Sequence, residues 1–299
     1  MYVAFSILII ILAVISDAFL TSTNIINVLR QISVIGIMAV GMTFVIATGG
    51  IDLSVGAVMA LSGVISTSLM RGDSTVPVFA AVLCGILVGV ACGGFSGFFI
   101  SKLEVPEFIA TLATMTITRG VCYVYTDGRP ITGFSADYKI IGTGLLGPIP
   151  IPVIIYFVTI LLGVFLLNFS KFGRHVLAVG GNEKASIVSG ISAAGVKFCC
   201  YIISGVTSAA AGIVLAARTQ TGQPVAGEGF ELDAITAVVI GGASLSGGSG
   251  SVLGSVMGML IIGVMTNGLD LLNVSSYYQK VIKGVIILVA VLSDRAKKK

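Results

Sequence analysis

Ten stretches of the chain are predominantly apolar: 2–20, 31–48, 53–70, 76–101, 106–125, 152–170, 198–217, 232–245, 249–268 and 279–293. A helix needs about 20 such residues to cross a bilayer's hydrocarbon core. The pattern therefore predicts an all-α membrane protein, a polytopic bundle of about ten transmembrane helices. Two of the ten are marginal. The run 232–245 is too short to cross untilted, and 53–70 follows its predecessor after only four residues, so both are expected to be tilted or partly re-entrant. Pro77, Pro106 and Pro152 fall at span starts, where a missing N–H costs nothing. Pro130, Pro148, Pro150 and Pro224 fall in connections. Two polar connections, 126–151 and 171–197, are long enough to suggest a role of their own. Residues 2–16 have neither a basic segment before them nor a small-residue cleavage motif after, so they read as the first span and not a cleaved leader.

An even number of spans puts both termini on one side. That side holds nine basic residues, Lys102, Lys171, Arg174, Lys184, Lys197, Arg295 and Lys297–Lys299, against five opposite, Arg30, Arg71, Arg129, Lys139 and Arg218. Lysine and arginine favour the cytoplasmic loops, so both termini are expected in the cytoplasm. The closing lysines directly follow an apolar span and read as a membrane anchor; no nucleic-acid partner is expected.

Composition removes the soluble alternative. Of 299 residues, 56% are hydrophobic and 10% charged, where soluble domains average about 25% charged. Mean hydropathy is +1.09. Lipid must solvate such a surface. The five cysteines, Cys84, Cys92, Cys122, Cys199 and Cys200, lie in apolar runs without CxxC spacing and read as small buried hydrophobes. A single histidine, His175 beside Arg174, cannot make a metal site and reads as part of a solvated loop.

A weak internal repeat is visible. Gly50-Ile51-Asp52-Leu53 aligns with Gly229-Phe230-Glu231-Leu232 at an offset of 179, and each opens a short apolar stretch. The next long spans carry glycines at every fourth position, Gly85, Gly89, Gly93 and Gly97 in one, Gly250, Gly254 and Gly258 in the other. Small residues at that spacing form one close-packing face. The chain is thus expected to be a single permease domain, 1–299, with two pseudo-repeated halves of about 31–125 and 198–293, a common transporter plan.

Catalytic constellations are missing. The run Gly241–Gly250 lacks the lysine of a phosphate-binding loop and reads as a tight turn. Without a nucleophile–base pair, a metal cluster or a nucleotide pocket, the chain is expected to be no enzyme, with no metal and no cofactor of its own. Asp52, Glu231, Asp233, Arg119 and Lys283 lie towards the ends of apolar runs and are expected near the interfaces. Ion-coupled carriers need such groups mid-span, so energy is expected from a partner.

Four blocks resemble one family in order. Gly49-Gly50-Ile51-Asp52-Leu53-Ser54-Val55-Gly56 is similar to a signature of sugar-importing permeases of the ATP-binding-cassette (ABC) superfamily. Gly180-Gly181-Asn182-Glu183-Lys184-Ala185 with Ser189-Gly190-Ile191 resembles their cytoplasmic coupling segment, within the loop 171–197. Glu231–Ile235 with Gly241–Gly248 matches a third block. Val274-Ser275-Ser276-Tyr277-Tyr278-Gln279 matches a fourth, which resembles the ribose permeases among them. The resemblance runs from about residue 20 to the end; other pentose, galactose and furanosyl-signal permeases share most blocks, and relatives usually begin with a longer cytoplasmic tail. It implies a bacterial inner-membrane permease importing a monosaccharide, and a second permease subunit, identical or related. It also implies cytoplasmic ATP-binding subunits that carry ATP and magnesium, and a periplasmic sugar-binding protein. An ion-coupled sugar carrier and a branched-chain amino-acid permease are the alternatives.

Under that resemblance Asn182, Glu183, Lys184, Ala185, Val188, Ser189 and Gly190 form the ATPase-coupling segment. Asn182 can cap a short helix, Glu183 suits its positive start, and Ala185, Val188 and Ser189 share a face. Asp52 and Glu231 are expected as structural helix starts. A sugar needs amide, hydroxyl and aromatic partners, for which Thr43, Phe44, Thr48, Phe108, Asn267 and Gln279 are the candidate path residues; packing between helices is the competing reading for each.

Overall fold

The computed structural model describes residues 1–72 and 76–296, so Lys297–Lys299 lie outside the described residues. The chain is helical: α1 Tyr2–Ile15, α2 Ser22–Ala47, α3 Val55–Ser68, α4 Val78–Lys102, α5 Glu107–Thr126, α6 Ala136–Thr143, α7 Ile151–Val164, α8 Lys171–Gly181, α9 Glu183–Val188, α10 Ala193–Thr219, α11 Phe230–Ile240, α12 Val252–Leu271 and α13 Ser276–Ala296. A π-turn, Phe165–Phe169, continues α7, and a two-stranded hairpin, β1 Leu145–Leu146 and β2 Ile149–Pro150, precedes it. Among the described residues, six helices are long and apolar enough to cross a membrane: α2, α4, α5, α7 with its π-turn, α10 and α12. The other four runs also hold helices, of which α1 and α3 are apolar but shorter, and α11 has only 11 residues. Three further helices lie inside the two long connections. The connection 126–151 contains α6 and the hairpin, and 171–197 contains α8 and α9. His175, expected in a loop, lies exposed on α8.

Short polar caps start the long elements. The hydroxyls of Thr21, Ser192 and Ser251 accept the backbone N–H of Asn24, Gly195 and Gly254 at the first turns of α2, α10 and α12. Pro77 and Pro106 occupy the N-cap positions of α4 and α5.

The centre of the bundle is α2 against α10. From Ile32 to Ala47, α2 is buried throughout. Around this pair, α1, α4, α5, α7 and α13 expose large apolar side chains outward, such as Phe79, Val124, Leu162 and Val285. No water-facing surface would tolerate that pattern, whereas lipid does.

Glycine sets the tightest crossing. At Gly89 of α4, a Cβ would lie 2.3 Å from the Gly205 carbonyl oxygen of α10, and at Gly205 one would lie 2.1 Å from that of Gly89. Gly85, Gly93 and Gly97 face α10 as well. The second stripe meets other partners: Gly254 abuts Gly241 just past α11, Gly258 abuts Ala237 of α11, and Gly250 abuts Ala47.

Both short helices begin inside the bundle. Asp52, just before α3, meets Ser204, which stands about 17 Å along α10. Glu231 and Gly227, at the start of α11, lie against Gly56 in the first turn of α3. From there α3 runs to the end where Ser66 meets Tyr138 of α6. The other short helix, α11, runs the opposite way, to Gly241 beside Gly254.

Candidate functional site

One end of the bundle gathers α8, α9, the start of α10 and the α4–α5 turn. The Asn182 side chain accepts the Ala185 N–H at 2.9 Å and caps α9. Gly190, at φ 83°, ends the turn. The Ser189 hydroxyl donates to the Ala185 carbonyl. Ser186 alone on α9 is buried and anchors it. Glu183, Lys184 and Ala185 are exposed, and Val188 is 89% exposed, an apolar tip pointing away from the protein. Beside α9 runs a groove of about 1000 Å³ lined by Glu104, Glu107, Phe108, Lys184 and Ile187 among others. This end thus presents an exposed apolar tip beside a groove with mixed polar and apolar walls.

Lys197 of α10 ties this end together. Its ammonium donates to Glu183 at 2.9 Å and lies 3.4 Å from Glu107, with only 16% of the side chain exposed. Thus α9, α5 and α10 meet on one cation. Nothing in the sequence pattern links residues 107, 183 and 197, so this triad was not anticipated.

A second fixture joins α8 to the core. A Cβ at Gly180 would lie 1.9 Å from the Ala47 carbonyl oxygen and 2.5 Å from the Gly248 nitrogen. Gly248 donates its N–H to Ala47, and Gly247 abuts Gly180 and Gly49. The glycine-rich turn 241–250 therefore clasps the ends of α2 and α8.

Asp52 is fully buried and takes three hydrogen bonds, from the Ser54 N–H at 2.9 Å, the Ser54 hydroxyl at 2.6 Å and the Ser204 hydroxyl at 2.7 Å. Asp233 of α11 is also buried and pairs with Lys283 of α13 at 2.8 Å. Ionisable groups expected near the interfaces thus lie inside the bundle, because internal donors replace water there. Glu231, in the first turn of α11, accepts the Gly229 N–H.

The six candidate path residues are not brought together. Thr43 bonds the Ala39 carbonyl and shares a 2.8 Å hydrogen bond with Ser255 of α12. Phe44 is buried and stacks on Phe172 of α8 at 6.2 Å. Thr48 bonds the Val45 carbonyl. Asn267 and Asn24 exchange hydrogen bonds at 2.9 and 2.8 Å. Gln279 donates to Asp270 and Val274. Phe108 is exposed on the groove beside α9. Five of the six thus have their polar or aromatic groups engaged in packing or in closing helix ends. Among the described residues, no group of three or more His, Cys, Asp or Glu could hold a metal ion. The five cysteines are free; Cys122 and Cys200 are buried as expected, whereas Cys84 and Cys92 are half-buried and Cys199 is exposed.

A bundle of apolar helices with inward-paired polar groups, two short helices starting at its centre and a capped helix exposed at one end defines an integral membrane protein of the transporter class. The chain belongs to the family described as branched-chain amino acid transport system/permease component, which matches residues 24–291. It is 48% identical to the ribose import permease protein of Bacillus subtilis (strain 168), over 97% of this chain and 90% of that one. With the ribose import permease protein of Escherichia coli (strain K12) identity is 44%, over 99% and 92%. The D-allose transport system permease protein of the same organism is 41% identical, over 98% and 91%. No solved structure matches.

Proposed function

We propose that this chain is the membrane-spanning subunit of a bacterial ABC importer that carries a monosaccharide, ribose in the first instance, across the inner membrane. The observation that carries the reading is the similarity to ribose import permeases over nearly the whole chain, at 48% identity for the relative from Bacillus subtilis. That the family also takes its description from amino-acid systems leaves cargo to the relatives, whose printed names are sugars.

In this reading α9 docks in a cleft of a cytoplasmic ATPase that holds the ATP and magnesium. Val188, Ala185 and Ser189 meet the cleft, Asn182 keeps the helix wound, and Glu183, Lys184 and Gly190 shape its edges. The groove beside α9 supports a partner of complementary relief. Basic residues at this end of the bundle support its cytoplasmic orientation, with both termini on the same side. A second copy of the chain and a periplasmic binding protein complete the assembly. The packing supports two related halves crossed over each other: α2 packs on α11 and α12, and α10 packs on α3 and α4.

The buried ionisable groups do not move the reading towards an ion-coupled carrier. Asp52 has its oxygens occupied by three donors, and Asp233 is neutralised by Lys283. The test is reconstitution. Liposomes with the chain alone are expected to take up no labelled ribose, and uptake is expected only with the ATPase, ATP and the loaded binding protein. Uptake by the chain alone, driven by a proton or sodium gradient, refutes the proposal.

A further inference from the structure

Among the described residues of α1, Leu12 alone is buried, where it seats on Gly268 of α12. Beside that contact a groove of about 220 Å³ stays open between α1, α2 and α12. Its walls include Ile9 of α1, Phe19 of the α1–α2 connection, Val28 and Ile32 of α2, and Leu260 and Val264 of α12. Among the described residues that line it, only Asn24 is polar, and both ends of that amide are taken. The nitrogen donates to the Phe19 carbonyl and to Asn267, each at 2.9 Å, and the oxygen accepts from Asn267 at 2.8 Å. The same bonds pin the connection to α2 and α12, so the groove is preformed. It follows α2 from Asn24 to Ile32, about 12 Å of helix.

We propose that this groove is a binding site for one acyl chain of a membrane phospholipid, held between α1 and the rest of the bundle. No donor or acceptor is left in it for water or for a polar ligand. Apolar cavities stay dry: an engineered one of about 150 Å³, lined by aliphatic and aromatic residues, excludes water and takes up benzene. Hydrocarbon is thus the ligand that this lining admits. A bilayer supplies hydrocarbon as acyl chains, and the groove is continuous with the lipid-facing surface, where Ile10 and Val14 of α1 and Ile25 of α2 are exposed. A further helix is about 10 Å across and too wide to enter. At the end nearest the α1–α2 connection, Thr21, Ser22 and Thr23 are exposed and give a polar rim where the chain's ester and headgroup meet water.

The site lies on the lipid side of the molecule and is independent of the cargo and of which end is cytoplasmic. An acyl chain that leaves bulk lipid for the groove gains no hydrophobic term, because both surroundings are apolar. What it gains is closer contact with fixed protein atoms. The preference for the groove is therefore modest, about five-fold.

The chain has no tryptophan, so a single one reports its own surroundings. Leu20→Trp places it at the groove, and Phe79→Trp places it on the open lipid-facing surface of α4, near the same end of the bundle. Each full-length variant, in detergent micelles, is titrated with dibrominated phosphatidylcholine, whose bromines quench tryptophan emission on contact. Half of the quenching at 20 is expected at a lipid mole fraction about five-fold below that needed at 79. Val264→Phe and, separately, Leu260→Phe fill the groove and are expected to bring the two curves together. Using both, each checked for helix content by circular dichroism, keeps one misfolded variant from deciding the outcome. Coincident curves without a filling substitution overturn the proposal, as does an excess at 20 that survives both fillings. Emission at 20 that no lipid fraction quenches shows protein or detergent in the groove and overturns it as well.

Discussion

Two glycines of α4 separate a packing role from a conformational one. At Gly89 an added Cβ meets the Gly205 carbonyl oxygen at 2.3 Å and the Ala209 Cβ at 2.6 Å, both fixed parts of α10. Relief requires the helices to part by about 1 Å, and a gap of that size forfeits a quarter to a half of the contact energy of the atoms concerned. Overpacking of this kind costs about 1–3 kcal/mol, set against the roughly 0.5–1 kcal/mol that alanine gains over glycine within a helix. Gly89→Ala is therefore expected to lower stability by about 1–2 kcal/mol. Gly94, five residues on, has nothing within 4 Å of its added Cβ. There the helical gain stands alone, and Gly94→Ala is expected to raise stability by about 0.5–1 kcal/mol. The chain has no tryptophan, so unfolding in detergent is best followed by far-UV circular dichroism. Equal stability of Gly89→Ala and the parent, or a Gly94→Ala variant that loses as much as Gly89→Ala, refutes the crossing as the source of the effect.

Three further outcomes are expected. Lys197→Met leaves Glu107 and Glu183 without their shared cation; the pair is partly exposed and worth about 1 kcal/mol, so ribose uptake per ATP hydrolysed is expected to fall about five-fold in the reconstituted importer. Arg119→Leu removes two charge-assisted hydrogen bonds from the segment before α11, and hydrogen exchange at 225–229 is expected to quicken relative to the parent. Lys283→Met strands the Asp233 carboxylate and is expected to cost about 3 kcal/mol in unfolding experiments, while adding Asp233→Asn is expected to recover most of it; a double variant no better than the single one contradicts the pairing.

The apolar runs were legible because lipid imposes a length and a polarity on every crossing segment, and those constraints are local in sequence. All ten runs hold helices for that reason. The Asn182 cap was legible on the same ground, since a cap is a contact between residues three apart. What could not be read is tertiary. Asp52 precedes an apolar helix in the sequence, and only the fold reveals Ser204 from α10 closing over it, 152 residues away. Side-chain chemistry alone marks the candidate path residues, and chemistry does not say whether Asn267 faces a passage or Asn24. The close approach of α3 to α10 at Gly63 and Gly212, and of Gly227 to Gly56, likewise needs three segments in one place.

The same geometry joins the two ends of the molecule. At one end Glu107 shares Lys197 with Glu183 of α9; further along the same helix, Arg119 holds the segment that carries Phe230. Twelve residues of helix separate Glu107 from Arg119, about 18 Å, with neither glycine nor proline between them to bend. Glu107 and Arg119 thus stand on one unbroken stretch of α5, in contact with α9's partner cation at one end and with the segment before α11 at the other. The clasp at Gly180 offers a second line, through Ala47 and Gly49 to Asp52 and the start of α3. Both lines end where α3 and α11 begin side by side. Coupling between distant sites requires an element whose two arrangements both ends can bias. The short helices that begin at the bundle's centre receive both lines of contact, and each is packed tightly on its neighbours, α3 at Gly63 against Gly212 and α11 at Ala237 against Gly258.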